Sequence, residues 1–218
     1  MAPHRQCFAV STGPDPLGAY YRYAFEIPGG FNDYVKLAVW PDAYYMTDER
    51  YKEGTGHIGS GAFAFDRAAM LAGRPAAFVY FQLGLPLFGL LPSDLDGPTP
   101  APAGTPGVFV KVYDDGCDAP FGAPIDQIQL WSFSVNFAVP NASTFSPTKV
   151  LQTDPFDSKL CSQYPGVSQP GTVQRLLLHP GRMLFRASVR NFGPYQSLVA
   201  LHEDVGPDQR VGLRWYEI

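Results

Sequence analysis

Val35-Lys36-Leu37-Ala38-Val39-Trp40-Pro41-Asp42-Ala43-Tyr44-Tyr45-Met46-Thr47 is the stretch whose reading decides the fold class. Two apolar arms flank a Pro-Asp pair. Pro41 presets φ for a turn and the Asp42 carboxylate can bond back to the backbone beyond it, so the stretch is a β-hairpin. Val35, Leu37 and Val39 alternate with Lys36 and Ala38, and the second arm is aromatic and β-branched, the composition of a half-buried pleated surface.

Outward from this hairpin the same kind of unit recurs. Strands are expected at 7–11 and 20–27, joined through the Gly13-Pro14-Asp15-Pro16 turn, and at 62–67 after a glycine-rich loop holding Gly54, Gly56, Gly59 and Gly61. Asp66 reads as the N-cap of one short helix, 67–71, ended by Gly73. Further strands are expected at 77–81, 108–113, 128–137, 149–152, 182–190, 197–202 and 211–218, with a proline-rich loop over 98–106 and an aperiodic one over 154–171. Asn191-Phe192-Gly193-Pro194 and Gly206-Pro207-Asp208 are hairpin turns.

These segments fall into three groups of about four strands, 7–73, 74–140 and 141–218, closing on Phe63-Phe65, Trp131-Phe133 and Trp215-Tyr216. Radial repetition of four-stranded sheets predicts a single all-β, β-propeller-like domain. Three blades do not close a ring, so the expectation is part of a longer propeller, or half of a six-bladed ring completed by a homodimer. A β-sandwich is the alternative.

Composition bounds the partners. Gly and Pro contribute 22 residues each of 218, in keeping with many tight turns. The formal net charge is −4, and the 16 Lys and Arg residues are scattered, so no basic stripe exists to track nucleic acid. The most apolar segment, 75–92, is interrupted by Gly84, Pro86 and Gly89 and cannot span a membrane as a helix. Cys7, Cys117 and Cys161 lack zinc-ligand spacing, and one disulfide with a leftover thiol suits a secreted chain.

Tyr21-Arg22-Tyr23-Ala24-Phe25, the stretch from Val39 to Tyr45, Leu91-Pro92-Ser93-Asp94-Leu95-Asp96-Gly97 and Arg190-Asn191-Phe192-Gly193 together resemble a family of large secreted, mostly uncharacterised bacterial proteins described as propeller-like. The resemblance runs over nearly the whole chain and implies secretion without naming a substrate. His179-Pro180-Gly181 departs from it, since relatives tend to carry an acidic turn there.

No G-x-S-x-G elbow, H-E-x-x-H pair or P-loop is present, and no cysteine has the following arginine of a phosphatase cradle that would complement Trp40-Pro41-Asp42. Carboxylates remain. A glycoside hydrolase needs one protonated acid and one ionised carboxylate flanking the glycosidic bond, and Asp42, Asp66 and Asp94 are the candidates. Trp40, Tyr44 and Tyr45 would stack on the rings of a glycan or polysaccharide. Arg186, Arg190 and His202 would contact its polar groups. Asp94 and Asp96, at alternate positions before Gly97, are candidate calcium ligands. Each residue also has a structural reading: turn residue for Asp42, helix cap for Asp66, Asx turn for Asp94 and Asp96, solvated face for the arginines and exposed histidine for His202.

Overall fold

The computed structural model describes residues 3–85, 87–118, 123–158, 166–178, 180–208 and 210–218. Cys161 and His179 lie outside them. The chain is all-β. In order come β1 (Arg5–Ser11), β2 (Tyr20–Glu26), β3 (Phe31–Val39), β4 (Ala43–Lys52), β5 (Gly56–Asp66), the short helix α1 (Arg67–Leu71), β6 (Phe78–Gln82), β7 (Leu91–Asp96) and β8 (Gly107–Tyr113). There follow the single turn α2 (Asp115–Asp118), β9 (Gln127–Ser134), β10 (Thr144–Gln152), β11 (Ala187–Asn191), β12 (Gln196–Val205) and β13 (Val211–Glu217).

The expected hairpin is β3–β4, with Val39 opposite Tyr44 and the Trp40 amide donating to the Ala43 carbonyl across the turn. Asp66 caps α1 as expected, its carboxylate accepting from the Ala69 amide at 2.9 Å. The glycine-rich stretch is not a loop. From Gly56 onward it belongs to β5, because Gly59 and Gly61 are packed so closely against the Leu83–Gly84 backbone and the Asp48, Phe63 and Tyr80 side chains that a Cβ has no room.

Strand pairing corrects the expectation of three four-stranded blades. The sheets have two strands (β1-β2), four (β3-β4-β5-β6) and seven (β10-β9-β8-β7-β11-β12-β13), and none is closed. The physical cause is the parallel pair β7–β11, Ala187 opposite Ser93 to Arg190 opposite Asp96, which joins strands expected in separate blades into one sheet. The strand expected over 182–190 accordingly begins only at Ala187, so Arg182 and Arg186 precede it.

Alternation along β4 and β5 sets the layering. Tyr45, Ala62 and Ala64 face the seven-stranded sheet and pack with Phe109 and Phe133, the Tyr45 and Phe109 rings 5.5 Å apart. Gly107 on β8 leaves the space that the Tyr45 ring fills. On the other face Met46, Phe63 and Phe65 pack under the β1–β2 hairpin against Phe8, Phe25 and Ile27. The four-stranded sheet is therefore a central layer, covered on both sides. This stack is compatible with the sandwich alternative.

The central layer also buries charge. Arg50, 0 % exposed, donates to Asp48 Oδ2 at 2.8 Å beneath the Phe63 and Tyr80 rings. Desolvation pushes the Asp48 carboxyl up to about 6, against the pull of Arg50. Lys111 on β8 is likewise 0 % exposed, with its ammonium over the Tyr113 and Phe88 rings at 4.2 and 4.5 Å, and burial lowers it to about 8. Cys117 is in a disulfide, and Cys7 carries an exposed free thiol.

Candidate functional site

Asp42, Asp66 and Asp94 each lie at the turn end of the β3–β4 hairpin. Asp66 is the cross-strand partner of Ala43, and Asp94 Oδ1 accepts from the Val39 amide at 2.7 Å. Each carboxylate is nonetheless engaged. Asp42 accepts from the Tyr45 hydroxyl at 3.1 Å, and partial burial, its largest influence, raises its pKa against that bond. Asp66 holds the α1 amide. Asp94 and Asp96 are forked by Arg186, whose Nη1 bonds Asp94 Oδ2 and reaches Asp96 Oδ1 at 2.9 Å. The guanidinium stands where a shared cation between Asp94 and Asp96 would sit.

The expected stacking residues are mostly enclosed. Trp40 is buried and its indole donates to the Thr105 carbonyl at 3.1 Å, and Tyr45 is part of the interlayer core. Tyr44 lines a cavity of about 350 Å³ with Phe8, Val10, Leu37, Val39 and Asp94, between the edges of β1 and β3. Arg190 lies over the Phe192 ring at 5.3 Å. His202 departs from the exposed-histidine reading: at 1 % exposure it is buried, its ring 4.4 Å from Phe156.

A larger site lies at the seam of that sheet. Its terminal strands β10 and β13 form opposite walls of a cavity of about 600 Å³, lined by Ile128, 151–154 and 214–218. Two further cavities, about 450 and 410 Å³, share Arg214 with it and extend past Asp204, Gly206 and Arg210 and past Phe156 and Asp157. The result is a groove along β13. Because β13 is an edge strand, side chains from both its faces reach the groove: half-buried Arg214 and Tyr216 on one, exposed Leu213, Trp215 and Glu217 on the other.

Each wall residue has a defined setting. Arg214 donates to the Asp154 carbonyl at 2.8 Å and pairs with Asp204 at 3.1 Å, which fixes its guanidinium across the seam. Glu217 accepts from the Ser197 hydroxyl at 2.8 Å. Tyr216 bonds His202 Nε2 at 2.9 Å, and burial raises its phenol, offset in part by Arg214. Trp215 is 66 % exposed, so its indole face is open to solvent. An open aromatic face flanked by charged and amide side chains binds flat, hydroxyl-rich rings, because their C–H face is apolar while their rim exchanges hydrogen bonds. Sequence reasoning used Trp215 and Tyr216 only as a strand signature. The signal for more was the pair of adjacent aromatics flanked by opposite charges in Arg214-Trp215-Tyr216-Glu217.

Among the described residues, one carboxylate cluster outside the groove has oxygens close enough to share a cation: Asp114, Asp115 and Asp126, with ligand atoms within 4.8 Å of one another. The Asp114 and Asp126 carboxylates already serve the backbone. Asp126 accepts from the Asp115 and Phe156 amides at 2.9 and 2.6 Å, and Asp114 from the Ser158 amide and hydroxyl at 2.8 and 2.6 Å. This is a latch fastening 156–158 to α2. Comparison with protein-family models, curated proteins and solved structures returned no match for this chain.

Proposed function

We propose that this chain is a secreted carbohydrate-binding protein that holds its ligand in the groove along β13 without turning it over. The observation that carries the reading is Trp215, an exposed indole face beside Arg214, Glu217, Gln152 and Asp154 in an open groove. Binding rather than hydrolysis is favoured because Asp42, Asp66 and Asp94 are each bonded to a tyrosine, a helix terminus or an arginine, which leaves no free acid and base pair among them. The disulfide at Cys117 supports an oxidising compartment, as the resemblance to secreted bacterial proteins implies. No helix among the described residues is long and apolar enough to cross a membrane.

On architecture, we read the layered stack in preference to blades around an axis, so a homodimer completing a ring has no role. Calcium between Asp94 and Asp96 is not part of the reading, because Arg186 neutralises both.

Affinity gel electrophoresis against xylan, mixed-linkage β-glucan and mannan tests the proposal. At least one polysaccharide is expected to retard the chain, with Trp215→Ala weakening retention about tenfold, the equivalent of about 1.4 kcal/mol of stacking. Retention by none of the three, or retention indifferent to Trp215→Ala, sinks it. Release of reducing sugar from a retained polysaccharide would show an enzyme instead.

A further inference from the structure

Resting on that reading and deepening it, we infer that buried His202 is a positioning residue which makes the Tyr216 hydroxyl a hydrogen-bond acceptor toward the groove, so that the site selects a ligand donating at that point, as a sugar hydroxyl does. The inference follows from two distances. His202 Nδ1 lies 2.7 Å from the Glu203 carbonyl oxygen, and Nε2 lies 2.9 Å from the Tyr216 oxygen. A carbonyl only accepts, so Nδ1 carries the ring proton. A neutral imidazole has one donor and one acceptor, which leaves Nε2 bare. Nε2 must then receive a proton in its bond, and Tyr216 O–H is the group that supplies it.

With its single proton committed inward, the Tyr216 oxygen presents only lone pairs elsewhere. Arg214 beside it can only donate, which matches an accepting oxygen, and the Thr153 hydroxyl can take either role. A ligand offering a carbonyl, ether or carboxylate oxygen there meets acceptor against acceptor. One offering O–H completes the set.

The surroundings keep the ring neutral. Burial among Phe156 and Tyr216 lowers the His202 pKa and Arg214 acts in the same direction, while the Glu203 carbonyl, Asp204 and Asp114 oppose them. Adding a proton would make Nε2 a donor, turn the Tyr216 oxygen into its acceptor and free the phenolic proton to point at the groove. The groove's polarity at that position therefore reverses in acid.

Long-range ¹H–¹⁵N NMR on ¹⁵N-histidine-labelled chain at pH 7 tests the first half, with His202 assigned by the signal lost in His202→Gln. The Nδ1–H tautomer is expected, with the Nε2 shift moving toward that of a free, unbonded nitrogen in Tyr216→Phe. An Nε2–H tautomer, a doubly protonated ring, or an Nε2 shift untouched by Tyr216→Phe overturns the inference. The Tyr216→Phe arm keeps it falsifiable if His202→Gln does not fold.

Affinity gels test the second half. Tyr216→Phe is expected to weaken retention of a polysaccharide about tenfold, and O-methylation of that polysaccharide is expected to weaken wild-type retention while leaving Tyr216→Phe little changed. Retention lost in Trp215→Ala but intact in Tyr216→Phe overturns this inference and leaves carbohydrate binding standing. Retention intact in Trp215→Ala removes the binding reading, with the tautomer result still read separately.

Discussion

The four-stranded and seven-stranded sheets are built from similar residues and differ in what covers them. The smaller is roofed on both sides, by the β1–β2 hairpin and by the larger sheet, so even the charged run Asp48-Glu49-Arg50 in β4 is buried. The larger sheet is covered on one face by the smaller and leaves β10 and β13 as edge strands that line one cavity. Polar groups in the roofed layer must find partners within the protein, whereas those at the seam are free to meet a ligand. The same arginine–aspartate chemistry consequently has two meanings: Arg50–Asp48 is a buried interior pair, and Arg186 with Asp94 and Asp96 is a surface clamp.

The largest effect that would break this contrast is expected at Arg50. Arg50→Ala strands the Asp48 carboxylate without its cation, and a loss of about 3–5 kcal/mol in denaturant unfolding is expected. A loss under about 1 kcal/mol would mean that water reaches the pair and that the layer is not sealed.

Next comes Lys111. Its lowered pKa means that between about pH 8 and the ordinary lysine value of 10.5 the unfolded chain holds a proton the folded chain has released, so stability rises with pH across that window. Below it the buried charge is a standing penalty. Lys111→Met should raise stability at pH 7 by about 1–3 kcal/mol and abolish that rise. Unfolding curves at pH 7, 9 and 10.5 measure both, and a destabilised variant would show that Asp118 and Glu49 compensate the ammonium.

Trp215 sharpens the other half. As an exposed edge residue, its replacement by Ala should move stability by no more than about 0.5 kcal/mol while reducing polysaccharide retention about tenfold. A coincident fall in melting temperature would place the indole in the fold rather than the site.

The smallest effect is expected at Arg186. Arg186→Ala should cost about 0–1 kcal/mol, less at high salt, because solvent screens the ion pairs it removes. A cost approaching that at Arg50 would erase the distinction between the two clamps.

Strand content, the β3–β4 hairpin and the Asp66 cap were legible because each depends on residues near one another in the chain: Pro41 and Asp42 in a turn, Asp66 three positions before the amide it holds. The candidate site was legible only in fragments. Asp94 and Arg186 do meet, but as partners of each other, and Trp40 and Tyr45 proved to be core because the layer covering them comes from β8 and β9, far along the chain. A strand's alternation tells which residues share a face. It does not tell which face will be roofed.

By itself the chain of residues determined an all-β molecule of short strands and tight turns, since local φ preferences and period-two patterning act over a few residues. Only the tertiary structure decided that β7 pairs in parallel with β11, that the sheets number two, four and seven strands, and that β10 and β13 are left facing each other across a groove. Those outcomes rest on contacts between segments distant in the chain, where many pairings satisfy the same local pattern and burial of the interlayer aromatic core selects one of them.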